Sequence, residues 1–122
     1  MTKPENYVDI GALAARLEAF SAARDWKQFH SPKNLVMALT AEVGELNEVF
    51  QWLSEEASKK LGSDPVALKQ AEEEISDVLM YLVRLIDVLG IDINQAIQRK
   101  LVINEERYPA DQVRGSSAKY KP

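Results

Sequence analysis

The sequence predicts an all-α fold, a bundle of four main helices followed by an irregular C-terminal tail. Apolar residues recur at helical spacing in four separate runs, and no stretch alternates in the way of a half-buried strand. Start and stop signals fall between the runs: Ser31-Pro32 and Asp64-Pro65 pair an N-cap with a first-turn proline, and Gly90 supplies a C-terminal stop. At 122 residues the chain has the size of one domain, with a helical core over about 9–108 and a tail over 109–122.

The first helix is expected from Asp9, a candidate N-cap, with Ile10, Leu13, Ala14, Leu17 and Phe20 on one stripe. An aromatic and polar link, RDWKQFHSPKN, leads to the second helix, which starts after Ser31 and is predicted to run to about Glu55 or beyond. The third runs from Asp64-Pro65 to Gly90. Asp92 caps the fourth, INQAIQRKLVINEER. The tail carries few apolar residues and is expected to be irregular, ordered only by a ligand or a neighbouring subunit.

Composition narrows the function classes. With no cysteine, disulfides and thiolate metal sites are excluded. No apolar run approaches the roughly 20 residues of a membrane span, and MTKPENYVDI lacks the apolar region of a signal peptide, so the default is a soluble cytoplasmic protein. A net charge of −4 argues against non-specific nucleic-acid binding. The stretch 99–122 is nonetheless basic, either as a solvated tail or as a partner for a small anionic ligand.

The functional clue is a conflict with packing. On a helical wheel Glu42 falls inside the apolar arc of the second helix, among Leu35, Val49 and Leu53, and Glu45 at its border, whereas Glu48 faces away. In the third helix Glu74 sits between Tyr81 and Leu85, and Asp77 at the edge of the arc formed by Ile75, Val78, Leu79, Leu82, Leu85, Ile86 and Leu89. Antiparallel packing of the two helices brings the four carboxylates together. Two like charges 4 Å apart repel by about 4 kcal/mol at an effective dielectric of 20. Burial adds several kcal/mol per ion. A domain is stable by only about 5–15 kcal/mol. The four acids therefore need protons or a cation, and Arg84, beside Asp77 on the wheel, supplies at most part of that charge.

An all-oxygen donor set favours a hard ion, Mg²⁺ first, with Mn²⁺ or Ca²⁺ as alternatives. The single histidine, His30, lies outside both helices, which argues against the paired Glu-x-x-His motifs of a di-iron bundle. Mg²⁺ is commonly shared with substrate phosphates, so the inferred ligand is a polyphosphate. Trp26, His30, Trp52 and Tyr81 are candidate walls of a nucleoside pocket. Phe29 fits core and pocket equally.

These residues resemble the all-α nucleoside triphosphate pyrophosphatases of the MazG-like superfamily, and most nearly their dCTP pyrophosphatase branch. The resemblance is carried by DWKQFH at 25–30, PKNL at 32–35, EVGELNEVFQW at 42–52, EEEISDVLMYLV at 72–83, NEERYP at 104–109 and SSAKY at 116–120. It implies hydrolysis between the α and β phosphates, Mg²⁺ on Glu42, Glu45, Glu74 and Asp77, a nucleoside pocket from Trp26, His30, Trp52 and Tyr81, and a triphosphate side from Lys100, Asn104, Arg107 and Tyr108. It also implies a homotetramer and a role in sanitising nucleotide pools. Glu45 is the expected catalytic group, orienting or deprotonating the attacking water. Leu17 stands where the mammalian proteins carry histidine, which opens the base preference. The competing expectations are a broader NTP or dUTP pyrophosphatase and a non-catalytic helical scaffold holding a structural cation.

Overall fold

In the computed structural model, residues 6–122 are described, and every regular element among them is helical. Six α-helices occur in the order α1 (Gly11–Ala23), α2 (Pro32–Phe50), α3 (Glu55–Lys59), α4 (Pro65–Leu89), α5 (Ile93–Arg107) and α6 (Ala110–Val113). Two 3₁₀ turns, Lys27–Phe29 and Leu61–Ser63, join them. The four predicted helices correspond to α1, α2, α4 and α5. None of the helices is long and apolar enough to cross a membrane.

Local chemistry sets most boundaries. Ser31 accepts from the Asn34 amide at 3.2 Å and starts α2, with Pro32 inside the first turn. Asp64 accepts from the amides of Val66 and Ala67 and starts α4. Gly90 ends α4 with φ +67°, a left-handed conformation that glycine adopts without strain. Asp92 caps α5 through the Gln95 amide at 3.1 Å.

Three expectations need correction. The second helix stops at Phe50 rather than near Glu55, because Ser54 accepts from the Ala57 amide and caps a separate helix, α3. Ile10, not Asp9, is the N-cap of α1, and the end is closed by the backbone bond from the Ala14 amide to the Ile10 carbonyl at 2.8 Å. The tail is not wholly irregular: α6 interrupts it, and the Tyr120 amide donates to the Tyr108 hydroxyl at 2.7 Å.

The chain divides into two compact units. In the unit Ile10–Gly90, α4 packs against both α2 and α1. Leu35 of α2 and Val83 of α4 are each only 1% exposed, and Ala71 and Ile86 of α4 are buried with them. That core is narrow. The predicted single apolar arc of α4 separates into a packed side and an exposed stripe of Ile75, Leu79, Leu82 and Leu89. The other unit joins residues 6–9 to Ile91–Pro122. Here the Asn94 side chain accepts from the amides of Tyr7 and Val8 and donates to the Val8 carbonyl, tying the extended segment to α5.

Candidate active site

The acid cluster forms where α2 packs on α4. One carboxylate oxygen from each of Glu42, Glu45 and Glu74 lies within 4.8 Å of the others. Glu42 and Glu74 are half-buried and Glu45 is exposed, so the group opens to solvent through Glu45. Glu48, expected on the surface, is there.

The electrostatics follow from this crowding. The Glu42 carboxyl is pushed up from its ordinary 4.5 to about 7, first by burial, then by a hydrogen bond with Glu45, then by the charges of Glu45, Asp77 and Glu74. Glu74 is raised too, first by burial, then by a hydrogen bond with Glu45, then by the charges of Glu45, Asp77 and Glu73. Oε2 of Glu42 and Oε2 of Glu74 are both fully buried with no hydrogen-bond partner. An orphaned buried oxygen costs free energy, and an orphaned carboxylate oxygen costs more. Two of them in one group of three acids fit a divalent cation with hard oxygen ligands. Asp77 stands outside the group of three but close enough for its charge to raise both Glu42 and Glu74.

Asp77 also lines a cavity of about 420 Å³ together with Leu13, Leu17, Phe20, Trp26, Met80 and Tyr81, and with the polar Arg16, Ser21, His30 and Arg84. A second cavity of about 300 Å³ is bounded by Trp26, Phe29, His30, Asn34, Leu35, Ala38 and Tyr81. Trp26, His30 and Tyr81 thus belong to both walls. The larger volume lies within the range of pockets that take a small organic ligand. Leu17 lines this same cavity.

The link after α1 holds Trp26 and His30 by backbone bonds. The Trp26 amide donates to the Ser21 carbonyl at 2.9 Å, and the His30 amide to the Lys27 carbonyl at 3.1 Å. Asp25 takes φ +54°, a left-handed conformation that aspartate tolerates better than most residues, and the chain turns there. The Trp26 ring stands edge-on to Phe20 at 5.7 Å between centroids.

Sequence reasoning set Arg84 beside Asp77, and the structure gives it other partners. Arg84 is 5% exposed, and its guanidinium does not serve the acid cluster. Its Nη1 pairs with Glu18, and its Nε donates to His30 Nδ1 at 3.1 Å. Glu18 binds Lys27 as well, and these two partners, Lys27 first, hold its carboxyl down at about 2. His30 is lowered from its ordinary value, first by burial and then by the Arg84 charge. A signal was present: a lone arginine inside the apolar run LMYLVRLIDVL.

The remaining candidates lie elsewhere. Trp52 falls after the end of α2, is 87% exposed and lines neither cavity. Lys100, Asn104, Arg107 and Tyr108 belong to the second unit, on α5 and at its C-cap. There the Arg107 guanidinium lies 5.1 Å from the Tyr120 ring centroid, and the Tyr108 and Tyr120 rings meet edge-on.

The model of the MazG-like family matches residues 37–122, which include all four acids. The chain is 48% identical to human dCTP pyrophosphatase 1 and 47% identical to the mouse protein, in each case over 112 residues, or 92% of this chain. It spans 64% of the length of these curated relatives. Among solved structures, a pyrophosphatase from Archaeoglobus fulgidus superposes with a TM-score of 0.73 at 37% identity, covering 88% of this chain and 99% of that one. An all-helical chain whose acid cluster lies inside the matched region, with this identity to its relatives, belongs to the MazG-like family.

Proposed function

We propose that the chain is a divalent-cation-dependent nucleoside triphosphate pyrophosphatase that hydrolyses dCTP, or dCTP modified on the base, to the monophosphate and pyrophosphate. The observation that carries this reading is the pair of orphaned buried oxygens on Glu42 and Glu74, in a group of acids that borders an aromatic cavity through Asp77. The similarity to dCTP pyrophosphatase 1 and to an archaeal pyrophosphatase supports the reaction and the base.

Glu42, Glu45, Glu74 and Asp77 would hold the ion, Mg²⁺ before Mn²⁺. When bound, the ion neutralises charge on the phosphates and supplies coordinated water. Glu45, the exposed acid of the group, takes the proton of the attacking water. The water oxygen bonds to the α-phosphorus as the bond to the bridging oxygen breaks, and pyrophosphate leaves. Trp26, His30 and Tyr81 receive the base and sugar, with Trp52 assigned to the same pocket by the family resemblance. Lys100, Asn104, Arg107 and Tyr108 are assigned to the triphosphate on the same ground, the cations stabilising charge on the departing pyrophosphate.

A homotetramer is part of the proposal. The exposed stripe of Ile75, Leu79, Leu82 and Leu89 supports burial against another copy. The cytoplasm is the proposed compartment and removal of unwanted nucleotides the proposed role.

The test is product analysis on a panel of dNTPs, NTPs and 5-substituted dCTPs with and without Mg²⁺. Pyrophosphate released from dCTP only with the metal is expected. Orthophosphate as the product, or turnover undiminished in Glu45→Ala, rejects the mechanism. Equal rates on dUTP or ribonucleotides replace the dCTP assignment with a broader one, and stabilisation by Mg²⁺ without any turnover favours the scaffold.

A further inference from the structure

We infer that Arg84 is a positioning residue that fixes His30 as a neutral imidazole protonated on Nε2, so that the cavity presents a hydrogen-bond donor suited to cytosine and poorly suited to uracil or thymine. This rests on the nucleotide reading above.

The argument is one of donors and acceptors. A guanidinium has five N–H donors and no acceptor. Arg84 Nε donates to His30 Nδ1 at 3.1 Å, so Nδ1 must offer its lone pair. The proton of the neutral ring is then on Nε2. Arg84 cannot swing away, because it is 5% exposed and its Nη1 is paired with Glu18, which Lys27 holds in turn. Asp87 lies beyond, 3.7 Å from the same Nη1. The charged groups around the imidazole are Arg84 with its partners Glu18, Lys27 and Asp87, and Arg16 and Asp77, which line the same cavity; the one side-chain bond at Nδ1 is the arginine's. His30 lines both cavities, and Nε2, the ring nitrogen that Arg84 does not hold, is the donor inferred for a ligand there.

Cytosine carries two adjacent in-plane acceptors, O2 and N3. Uracil and thymine carry N–H at N3. O2 accepts in all three bases, so the discrimination lies at N3: a fixed donor facing N3 is satisfied by cytosine and opposed by the N–H of uracil or thymine, and an unmade buried hydrogen bond is what discriminates between such ligands. Without the arginine the ring can flip its tautomer, turn Nε2 into an acceptor and tolerate the N–H.

The single histidine makes this directly measurable. Long-range ¹H–¹⁵N spectra of the full chain labelled in histidine should show one neutral Nε2–H tautomer near pH 7. Arg84→Lys keeps the charge but not the Nε donor. It should give a mixture of tautomers, raise KM for dCTP by roughly three- to tenfold, the worth of one hydrogen bond, and lower the dCTP-over-dUTP ratio of kcat/KM by a similar factor. Glu18→Gln, which loosens the arginine without removing it, should move both readouts the same way by less, and it serves if the arginine variant does not fold. An Nδ1–H tautomer or an imidazolium in the wild type overturns the inference. So does an Arg84→Lys protein with either the tautomer or the base ratio unchanged. If the wild type hydrolyses no triphosphate at all, the proposed function falls, and the spectrum of the free protein still decides whether Arg84 holds His30.

Discussion

Helix α4 carries two charged clusters, and they meet the cost of burial in different ways. Near its middle, Glu74 and Asp77 meet Glu42 and Glu45 of α2 with no base among them, and two buried oxygens go without partners. Further along, Arg84 is almost completely buried but partnered: Glu18 answers its charge, and His30 takes its Nε–H. Both clusters carry a burial cost. The second offsets it within the chain. The first does not, so its compensation must come from outside, as protons or as a cation.

The largest way to break the contrast is to disarm the uncompensated cluster. Glu45→Gln and Glu74→Gln should each lower metal-dependent pyrophosphate release by about 10²–10³-fold while leaving circular dichroism unchanged, since several kcal/mol of charge stabilisation reside in such a site. Retention of more than a tenth of the activity in both would detach the cluster from the chemistry.

The next separates the clusters by pH. Glu42 has a raised folded-state pKa, so the folded protein binds the proton more tightly than the unfolded one. In metal-free protein its contribution to stability falls as pH rises from 4.5 to about 7, with Glu74 acting in the same direction. Glu18 is the reverse: its folded-state value of about 2 gives stability that is present above 4.5 and is lost as pH falls from 4.5 towards 2. Thermal melts should show both arms. Glu42→Gln should flatten the upper arm only, Glu18→Gln the lower arm only, and a divalent cation should restore stability above pH 7 in the wild type. A cation that moves the melting temperature equally in the wild type and in Glu42→Gln would show that it binds elsewhere.

The exposed stripe of α4 gives a third test. Leu79→Glu should shift the mass measured by light scattering below that of the wild-type assembly. An unchanged mass would remove this face from the interface. The smallest expected effect is a control that touches neither cluster. Asp64→Ala deletes the N-cap of α4 and should cost about 1 kcal/mol in urea unfolding, with the pH arms unaltered.

The parts legible in the sequence were those governed by neighbours in the chain. Ser31, Asp64, Gly90 and Asp92 mark helix ends because a cap bonds within three residues, and each stands where expected. The inward turn of Glu42 and Glu74 was legible because periodicity alone places a residue on a face. What failed needed knowledge of another element. Arg84 looks like a counter-ion for Asp77 on the wheel, and only the packing of α1 on α4 reveals Glu18 as its partner. Likewise a wheel cannot tell which half of a broad apolar arc meets α2, so Ile75 and Leu79 read as core although they are about half exposed. The end of α2 was missed because EVFQWLSEE continues the helical pattern, while the Ser54 cap starts a new helix inside it.

Helix α4 runs 25 residues without a break. Asp77 and Arg84 are seven residues apart, close to two turns and about 10 Å along the axis. The helix is therefore a ruler. It sets the spacing between the acids and the arginine that orients the imidazole, and with it the reach a ligand must have to touch both. Point substitutions leave the graduation intact. One residue inserted between Asp77 and Arg84 advances the distal end by about 1.5 Å and turns it through about 100°, so every group could survive unaltered while the two ends cease to measure the same molecule.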